Sequence, residues 1–304
     1  MGDQKIGISI GQFQRTYGDR RALEIAAQLG ADSVDFATHY FDKKIWDFRE
    51  PSSIYAQGDE AVIQYCTELR EYADSLGVMI GQTHGRGEGF QNNKELDDAQ
   101  VENARLDLLA ASALGAEVCV IHNATSINLG ANPDKKMMRD LSFDQYTRML
   151  PYAAKYNVKL ATETFGDAVQ YNSVDFFGDI NEFIMTYNRI SAASEYSKWF
   201  TICMDTGHTN KATRFGNPKV GDVIRMLGKN ITALHLNDND TLTDQHKIPM
   251  TGTIDWKDTM SALAEIGYNG IYNMELHLPH FGYGFEIETA QFAIKVMRNM
   301  LKEI

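Results

Sequence analysis

The chain has 304 residues, of which 43% are hydrophobic and 23% are charged, and its formal net charge is -12. This composition is typical of a soluble globular protein with enough apolar material for one sizeable core. The acidic charge disfavours nucleic acid as a partner, and the lack of both a signal-peptide pattern and a long apolar run predicts a cytoplasmic protein without a membrane span.

Short runs rich in β-branched and aromatic residues alternate with segments of helical periodicity along the chain. In the first half they predict strands at 5–10, 33–38, 78–83 and 117–121, and helices at 19–29, 59–76, 96–114 and 143–156. The second half repeats the pattern, with strands at 158–162, 200–204, 231–236 and 270–274, and helices at 174–188, 219–227, 255–266 and 286–301. Long insertions follow three of the strands, at 39–56, 85–94 and 123–142.

Strands that alternate with helices form a parallel sheet, and eight such units close into an α/β fold of the (β/α)8 TIM barrel type. An open doubly wound sheet is the alternative, but residues 7–11 are not followed by the glycine-rich phosphate loop of such sheets. No linker or low-complexity segment interrupts the pattern, so we predict a single domain over residues 1–304. The loops that follow the strands would then carry the active site.

Polar residues stand at the ends of seven of the eight predicted strands. The residues at or just beyond these ends are His39, His84, His122, Glu163, Asp205, His208, His235, Glu275 and His277. Each one alone is most simply a satisfied polar group, and Asp205 could equally be the N-cap of a short helical turn. Several carboxylates converging on one barrel mouth would repel each other unless a cation neutralised them. Three carboxylates and an imidazole suit Mn²⁺, Mg²⁺, Co²⁺ or Zn²⁺.

Five segments carry a more specific signal. They are residues 161–164 (Ala-Thr-Glu-Thr), 204–208 (Met-Asp-Thr-Gly-His), 234–238 (Leu-His-Leu-Asn-Asp), 250–256 leading into 266–270 (Ile-Gly-Tyr-Asn-Gly), and 274–275 (Met-Glu). With these motifs the chain resembles, over essentially its whole length, the xylose isomerase-like barrel superfamily of sugar isomerases and epimerases. That superfamily also contains the inosose dehydratases and the apurinic endonucleases.

The resemblance implies a metal-dependent sugar isomerase or epimerase that acts on a ketose or related polyol. One divalent metal would be bound by Glu163, Asp205, His235 and Glu275. The two glutamates would be the catalytic acid–base pair, facing each other across the sugar. One would remove the proton of the C–H next to the carbonyl, the other would return a proton to the opposite face, and the bound metal would stabilise the enediolate. Substrate-binding roles are implied for His84, His122, His208, Asp244 and His246.

Aromatic residues on the same rim could stack on the apolar face of a sugar. They are Phe13, Tyr40, Trp46 and Phe165, and core packing explains any one of them equally well. No glycine-rich phosphate nest is evident, which favours an unphosphorylated sugar. Barrels of this kind often pair through their rim loops, so we expect a homodimer or homotetramer.

Three alternatives remain open. Loss of a β-hydroxyl would make the protein a lyase on a cyclic polyol, like the inosose dehydratases.

The spacing Asp244-x-His246 resembles that of apurinic endonucleases, in which such a pair helps to bind additional zinc. All nine positions of that trinuclear set are filled here, by His84, His122, Glu163, Asp205, His208, His235, Asp244, His246 and Glu275. The net charge and the lack of interleaved basic and apolar wedge residues in the loops argue against a nuclease. A non-catalytic sugar binder is the third alternative.

Overall fold

The computed structural model describes residues 4–42 and 52–303. Its eight parallel strands are β1 (Ile6–Ser9), β2 (Ser33–Ala37), β3 (Met79–His84), β4 (Val118–Val120), β5 (Lys159–Glu163), β6 (Phe200–Asp205), β7 (Ile231–His235) and β8 (Tyr272–Met274). Strands β1 to β7 pair in chain order, and β8 pairs with β1. The amide of Leu236 donates to the carbonyl of Asn273 at 2.8 Å, which joins β7 to β8. The prediction of a single-domain (β/α)8 barrel is confirmed.

Eleven α-helices lie among the described residues. They are α1 (Gly11–Tyr17), α2 (Asp19–Leu29), α3 (Asp59–Ser75), α4 (Lys94–Leu114), α5 (Ser126–Leu129), α6 (Lys135–Tyr156), α7 (Ile180–Ala193), α8 (Thr206–Ala212), α9 (Val220–Leu227), α10 (Trp256–Glu265) and α11 (Glu286–Met300). A two-stranded hairpin, Asp167–Ala168 with Ser173–Val174, follows β5. None of the helices in the described ranges is long and apolar enough to cross a bilayer.

The ends of these helices follow their capping residues. Asn93 caps α4 by accepting hydrogen bonds from the amides of Glu95 and Leu96, and Gly115 ends the same helix in the left-handed conformation, with φ of 81°. The Asp134 side chain caps α6 by accepting from the amide of Met137. Local sequence therefore sets where both helices begin.

Two predicted helix starts were wrong. The helix predicted at 143–156 begins at Lys135, because Asp134 supplies an N-cap inside the segment that we took for an insertion. The helix predicted at 174–188 begins at Ile180 after the capping residue Asp179, and it runs on to Ala193. The short helices α1, α5 and α8 were missed, because four to seven residues show too little periodicity to detect.

The apolar core has two parts. The larger part fills the space between the barrel and its helices, whereas a small cluster on the opposite face of four strands comprises Val118, Val120, Ala161, Cys203 and Ala233. Alternation along a strand points that second face toward the barrel axis. Cys66, Cys119 and Cys203 are free and buried.

Candidate metal and substrate site

Four side chains converge at the mouth of the barrel, and we call them the carboxylate cluster: Glu163, Asp205, His235 and Glu275. The first three are the last residues of β5, β6 and β7, and the fourth directly follows β8. One ligand-type atom of each lies within 4.8 Å of those of the other three. The carboxyl ends of parallel strands thus bring together residues that are up to 112 positions apart (275 minus 163).

Glu163 is the most enclosed glutamate of the cluster, with its side chain 1% exposed. Its Oε1 lies 3.0 Å from Nδ1 of His235, and its Oε2 lies 3.0 Å from Nε2 of His122. The contact with His122 lacks hydrogen-bond geometry. Among the described residues, Oε2 of Glu163 and Nε2 of His122 are therefore buried without a hydrogen-bond partner. Buried polar atoms are rarely left in this state, and a shared cation would satisfy them both.

Asp205 is oriented by the residues of its own motif. Its Oδ1 accepts a hydrogen bond of 2.6 Å from the amide of His208 and so caps α8, while its Oδ2 accepts from Nδ2 of Asn237 at 2.9 Å. Gly207 allows this packing, because a Cβ there would collide with the Asn237 side chain. The capping role that we considered as an alternative to metal binding is therefore present, and it aims the carboxylate at the cluster.

His235 is held from both sides of its ring. Its Nε2 lies 3.1 Å from Oδ2 of Asp35, a buried carboxylate in β2, and its Nδ1 faces Glu163. Ser9 donates a second hydrogen bond of 2.9 Å to the same Asp35 oxygen. A carboxylate that accepts the Nε2 proton fixes the tautomer in which Nδ1 is available as a ligand, an arrangement common at metal-binding histidines.

Glu275 is the more open of the two glutamates, with its side chain 25% exposed. Its Oε2 lies 3.3 Å from Nδ1 of His235 and 3.7 Å from Nδ1 of His246. His246 in turn contacts Asp244 at 3.2 Å through Nε2, and its φ of 43° lies in the left-handed region. Such strain in a non-glycine residue is found most often at functional sites.

The histidines around the cluster respond to its negative charge. Burial alone would lower the pKa of His84, but Glu163 and Glu275 raise it to about 9. Burial is likewise outweighed at His246, where Asp244 and Glu275 raise the pKa to about 9. Burial also raises the pKa of the Asp205 carboxyl. The field that retains protons on these histidines would equally attract a divalent cation, so the residues fit a metal.

Among the described residues, two of the other groups of potential ligands extend beyond the carboxylate cluster. One comprises His84, His122 and Glu163, and the other comprises His208, Asp244 and His246; within each group the ligand-type atoms lie within 4.8 Å of one another. Asp244 is fixed partly by Lys211, whose Nζ lies 3.5 Å from Asp244 and 2.7 Å from Asp167. The fold thus brings all nine residues predicted for the site to one mouth, and their roles stay predictions.

A cavity of about 660 Å³ opens beside the cluster, a volume within the range of small-molecule sites. Glu275, His84, Asp244 and His246 line it, together with Asp35. The aromatic residues predicted for the rim lie in different places. Phe13 is in the core at 1% exposure, Tyr40 lines the cavity, and the ring of Phe165 packs edge-on against that of His122, with centroids 5.4 Å apart. Trp46 lies outside the described residues.

Two residues of the mouth were missed at the level of sequence, Asp35 and Arg86. Asp35 is a carboxylate between Val34 and Phe36 in a buried strand, where a charge is costly without a partner, and that signal could have been used. Arg86 lies between glycines in the loop after β3 and lines the cavity. Nothing in its sequence neighbourhood distinguishes it from a surface arginine.

Comparison with known proteins supports the resemblance. The profile of a family described as xylose isomerase-like TIM barrel matches residues 20–300. An uncharacterized protein of Methanocaldococcus jannaschii is 25% identical over 261 residues, which are 85% of this chain and 83% of that protein. The D-psicose 3-epimerase of Enterocloster bolteae is 23% identical over 252 residues, with 78% of this chain and 72% of the epimerase covered.

Among solved structures, the IolI protein with a bound zinc atom is similar to this chain with a TM-score of 0.73. The two are 17% identical, and the match covers 98% of each chain. At this identity the likeness concerns the fold. The site has to be interpreted from its own residues.

Proposed function

Because the chain belongs to the xylose isomerase-like TIM barrel family, we propose that it is a divalent-metal-dependent sugar isomerase or epimerase acting on a ketose or related polyol. The observation that carries this proposal is the convergence of Glu163 and Glu275 in one cluster. They come from strands that are not neighbours in the sheet, and one is enclosed while the other faces the cavity. Two carboxylates so placed can transfer protons at one carbon from different directions.

Glu163, Asp205, His235 and Glu275 would hold the metal. When bound, a divalent cation would polarise the carbonyl of a ketose and acidify the adjacent C–H. With a metal bound, Asp35 would keep Nδ1 of His235 available as a ligand by accepting the Nε2 proton, and Asn237 orients Asp205. Each of these contacts positions a candidate metal ligand.

The chain's own groups account for the proton transfers. A carboxylate has two oxygens, so each glutamate can contact a cation through one and accept or return a proton through the other. The charges of His235 and His122 outweigh the effect of burial and hold the pKa of Glu163 well below its usual range, which keeps this group ionised. Glu275 faces the cavity from which a sugar approaches.

The same residues could also serve a lyase on a cyclic polyol, since proton removal next to a carbonyl precedes β-elimination as well. The product distinguishes the two reactions: an isomer for the first and loss of water for the second. A second candidate, a nuclease with three metal ions, is favoured by the two bordering groups of ligands. The net charge of -12 argues against a duplex substrate.

Interconversion of ketoses in D₂O tests the proposal. Metal-loaded protein is expected to convert at least one member of a panel of ketohexoses, ketopentoses and their carboxylate and phosphate derivatives into an isomer that carries solvent deuterium. Glu163→Gln and Glu275→Gln should each lower this conversion by about 100-fold to 10,000-fold, because an acid–base group is lost. Glu117→Gln, an exposed glutamate at the other end of the barrel, is the matched control.

Two results would contradict the proposal. No deuterium uptake with any ketose would leave a sugar binder, and undiminished conversion in both glutamine variants would remove the acid–base role. Metal analysis of the purified protein separates the nuclease: we expect one ion per chain. We further expect a cytoplasmic protein that forms a homodimer or homotetramer, which light scattering on the purified chain measures.

A further inference from the structure

In the part of the chain that the structure describes, Arg86 is a buried cation whose guanidinium has no hydrogen-bond partner. It lies in the loop that follows β3, and the residue is 1% exposed. Among the described residues, none accepts a hydrogen bond from Nε, Nη1 or Nη2 of its guanidinium. A guanidinium removed from water without hydrogen bonds is costly, so this state calls for an explanation.

Other arginines of the chain show the usual arrangement. Arg105, Arg139 and Arg214 are more exposed than Arg86, with side chains 17%, 30% and 26% exposed, and each pairs with at least one carboxylate. The closest pairs are 2.8 Å for Arg105 and 2.6 Å for the other two. Arg86 is the most buried of these four arginines and therefore has the greatest need of a counter-ion, yet the described residues supply none.

The main chain around Arg86 is firmly held. Its amide donates to Oδ2 of Asp107 at 3.1 Å, and Thr38 and Tyr55 donate to the other oxygen of that carboxylate at 2.9 and 2.7 Å. A Cβ at Gly89 would collide with the backbone of Asn123, so the loop packs tightly against the next one. The backbone of this loop is therefore well ordered by its contacts, and a loosely held loop does not explain the unpaired guanidinium.

Arg86 shares its cavity with the carboxylate cluster. Glu275 and Arg86 both line the same space of about 660 Å³, so one bound molecule can contact both. The positive charge acts inside this cavity: burial together with the charges of His84 and Arg86 lowers the pKa of His39 to about 4. Asp42, Glu88 and Asp244 also line the cavity and would repel an anion. Of the two arginines that line it, Arg86 is buried and Arg15 is exposed, so an anionic group would interact more strongly with Arg86.

We propose that Arg86 binds an oxyanion substituent, a carboxylate or a phosphate, on the sugar that this protein processes. The inference rests on the proposed sugar isomerase or epimerase function and narrows its substrate to a sugar acid or sugar phosphate. Binding in this orientation places the anionic group at Arg86 and the remaining carbons toward the carboxylate cluster. The planar guanidinium can donate two parallel hydrogen bonds to either oxyanion.

Calorimetric binding of matched, unreactive polyols to metal-loaded protein tests this inference. D-Glucitol is the neutral probe, D-gluconate carries a carboxylate, and D-glucitol 6-phosphate carries a phosphate. We expect one of the anionic probes to bind about 10-fold to 100-fold more tightly than D-glucitol, as charge-assisted hydrogen bonds to a buried guanidinium imply. The probe that gains identifies the oxyanion.

Arg86→Met should abolish this preference, and Arg86→Lys, which keeps the charge without the planar fork, should retain part of it. The matched control is Arg15→Met, which removes an exposed arginine from the same cavity wall and should change the preference by less than about threefold. Thermal melting checks folding: the ligand-free Met variant should melt no lower than the wild type, because an unpaired buried charge is removed.

Three results would overturn the inference: equal binding of neutral and anionic probes, an anion preference that survives Arg86→Met, or an equal loss in Arg15→Met. Failure of the proposed function has a different signature. Anion preference without deuterium uptake in any ketose would leave Arg86 as an anion site on a protein that is no isomerase. Deuterium uptake without anion preference would support the isomerase function and remove the anion site at Arg86.

Discussion

His246 and His39 line the same cavity, yet their pKa values shift in opposite directions. Burial opposes the charged form of both rings, but Asp244 and Glu275 raise the pKa of His246 to about 9. At His39, burial and the positive charges of His84 and Arg86 outweigh the opposing effect of Asp35, and the pKa falls to about 4. The mouth of the barrel therefore has an acidic side, the carboxylate cluster, and a basic side around Arg86. The first suits a cation and the second an anion.

The largest expected effect concerns the acidic side. Asp205→Asn removes one negative charge from the cluster, while the amide oxygen can still accept the hydrogen bond from the amide of His208 that caps α8. We expect metal affinity, measured by competition with a chelating dye, to fall by more than about 100-fold. This exceeds the loss expected when a residue that only orients a ligand is changed. Asp222→Asn, on the exposed side of α9, is the control. Unchanged metal affinity in Asp205→Asn would place the metal elsewhere.

A smaller effect on metal affinity is expected from Asp35, which contacts the cluster only through His235. Asp35→Asn should weaken metal binding by about 10-fold, because the asparagine orients the ring but lacks the charge. Asp32→Asn, on the surface just before β2, should have no effect on affinity. Equal affinities in the Asp35 variant and the wild type would show that the His235 ring needs no carboxylate.

The basic side predicts a pH dependence of stability. The folded-state pKa of His39, about 4, lies below its ordinary value of 6.5, so the unfolded chain binds one proton more between these two values. The free energy of unfolding should thus fall with decreasing pH in this window, by up to about 1.4 kcal/mol per pH unit from this group. His39→Gln should remove that part of the slope in urea titrations at pH 4 to 6.5. Parallel slopes in the two proteins would mean that His39 titrates normally.

The smallest expected effect concerns the support of the Arg86 loop. Tyr55→Phe deletes the hydrogen bond of 2.7 Å to Asp107, the carboxylate that also accepts the Arg86 amide. We expect the free energy of unfolding to drop by about 1.5 kcal/mol in urea titrations, the usual value for a hydrogen bond to a charged group. Tyr17→Phe, at a half-exposed tyrosine of α1, should leave stability unchanged. A similar drop in the free energy of unfolding in both variants would show that the hydrogen bond to Asp107 does not stabilise the loop.

The two sides of the mouth were not equally predictable from sequence. Strand ends reveal themselves through alternation and length, so Glu163, Asp205, His235 and Glu275 could be placed at one mouth from the eight-unit pattern alone. The caps at Asp134 and Asp179 were visible in the sequence but competed with many other aspartates, which explains the two helix starts that were wrong.

The basic side depends on tertiary contacts that no local pattern encodes. Arg86 is distinguished by what is missing around its guanidinium, and an absence among distant residues leaves no trace in sequence. Asp35 meets His235 across 200 positions of chain, so only the closed barrel reveals the pair. The same holds for Asp107, which joins Thr38, Tyr55 and the amide of Arg86.

The central claim is that Glu163 and Glu275 act on one carbon from two faces, and the exchange pattern of two epimers tests it most directly. Each glutamine variant, with bound metal verified, is incubated in D₂O with each of two epimeric ketoses that the wild type interconverts. A glutamate that remains can still remove and return the proton on its own face. We predict that each variant exchanges the proton of one epimer only, and that the two variants select opposite epimers. Exchange of the same epimer by both variants would contradict the two-face assignment.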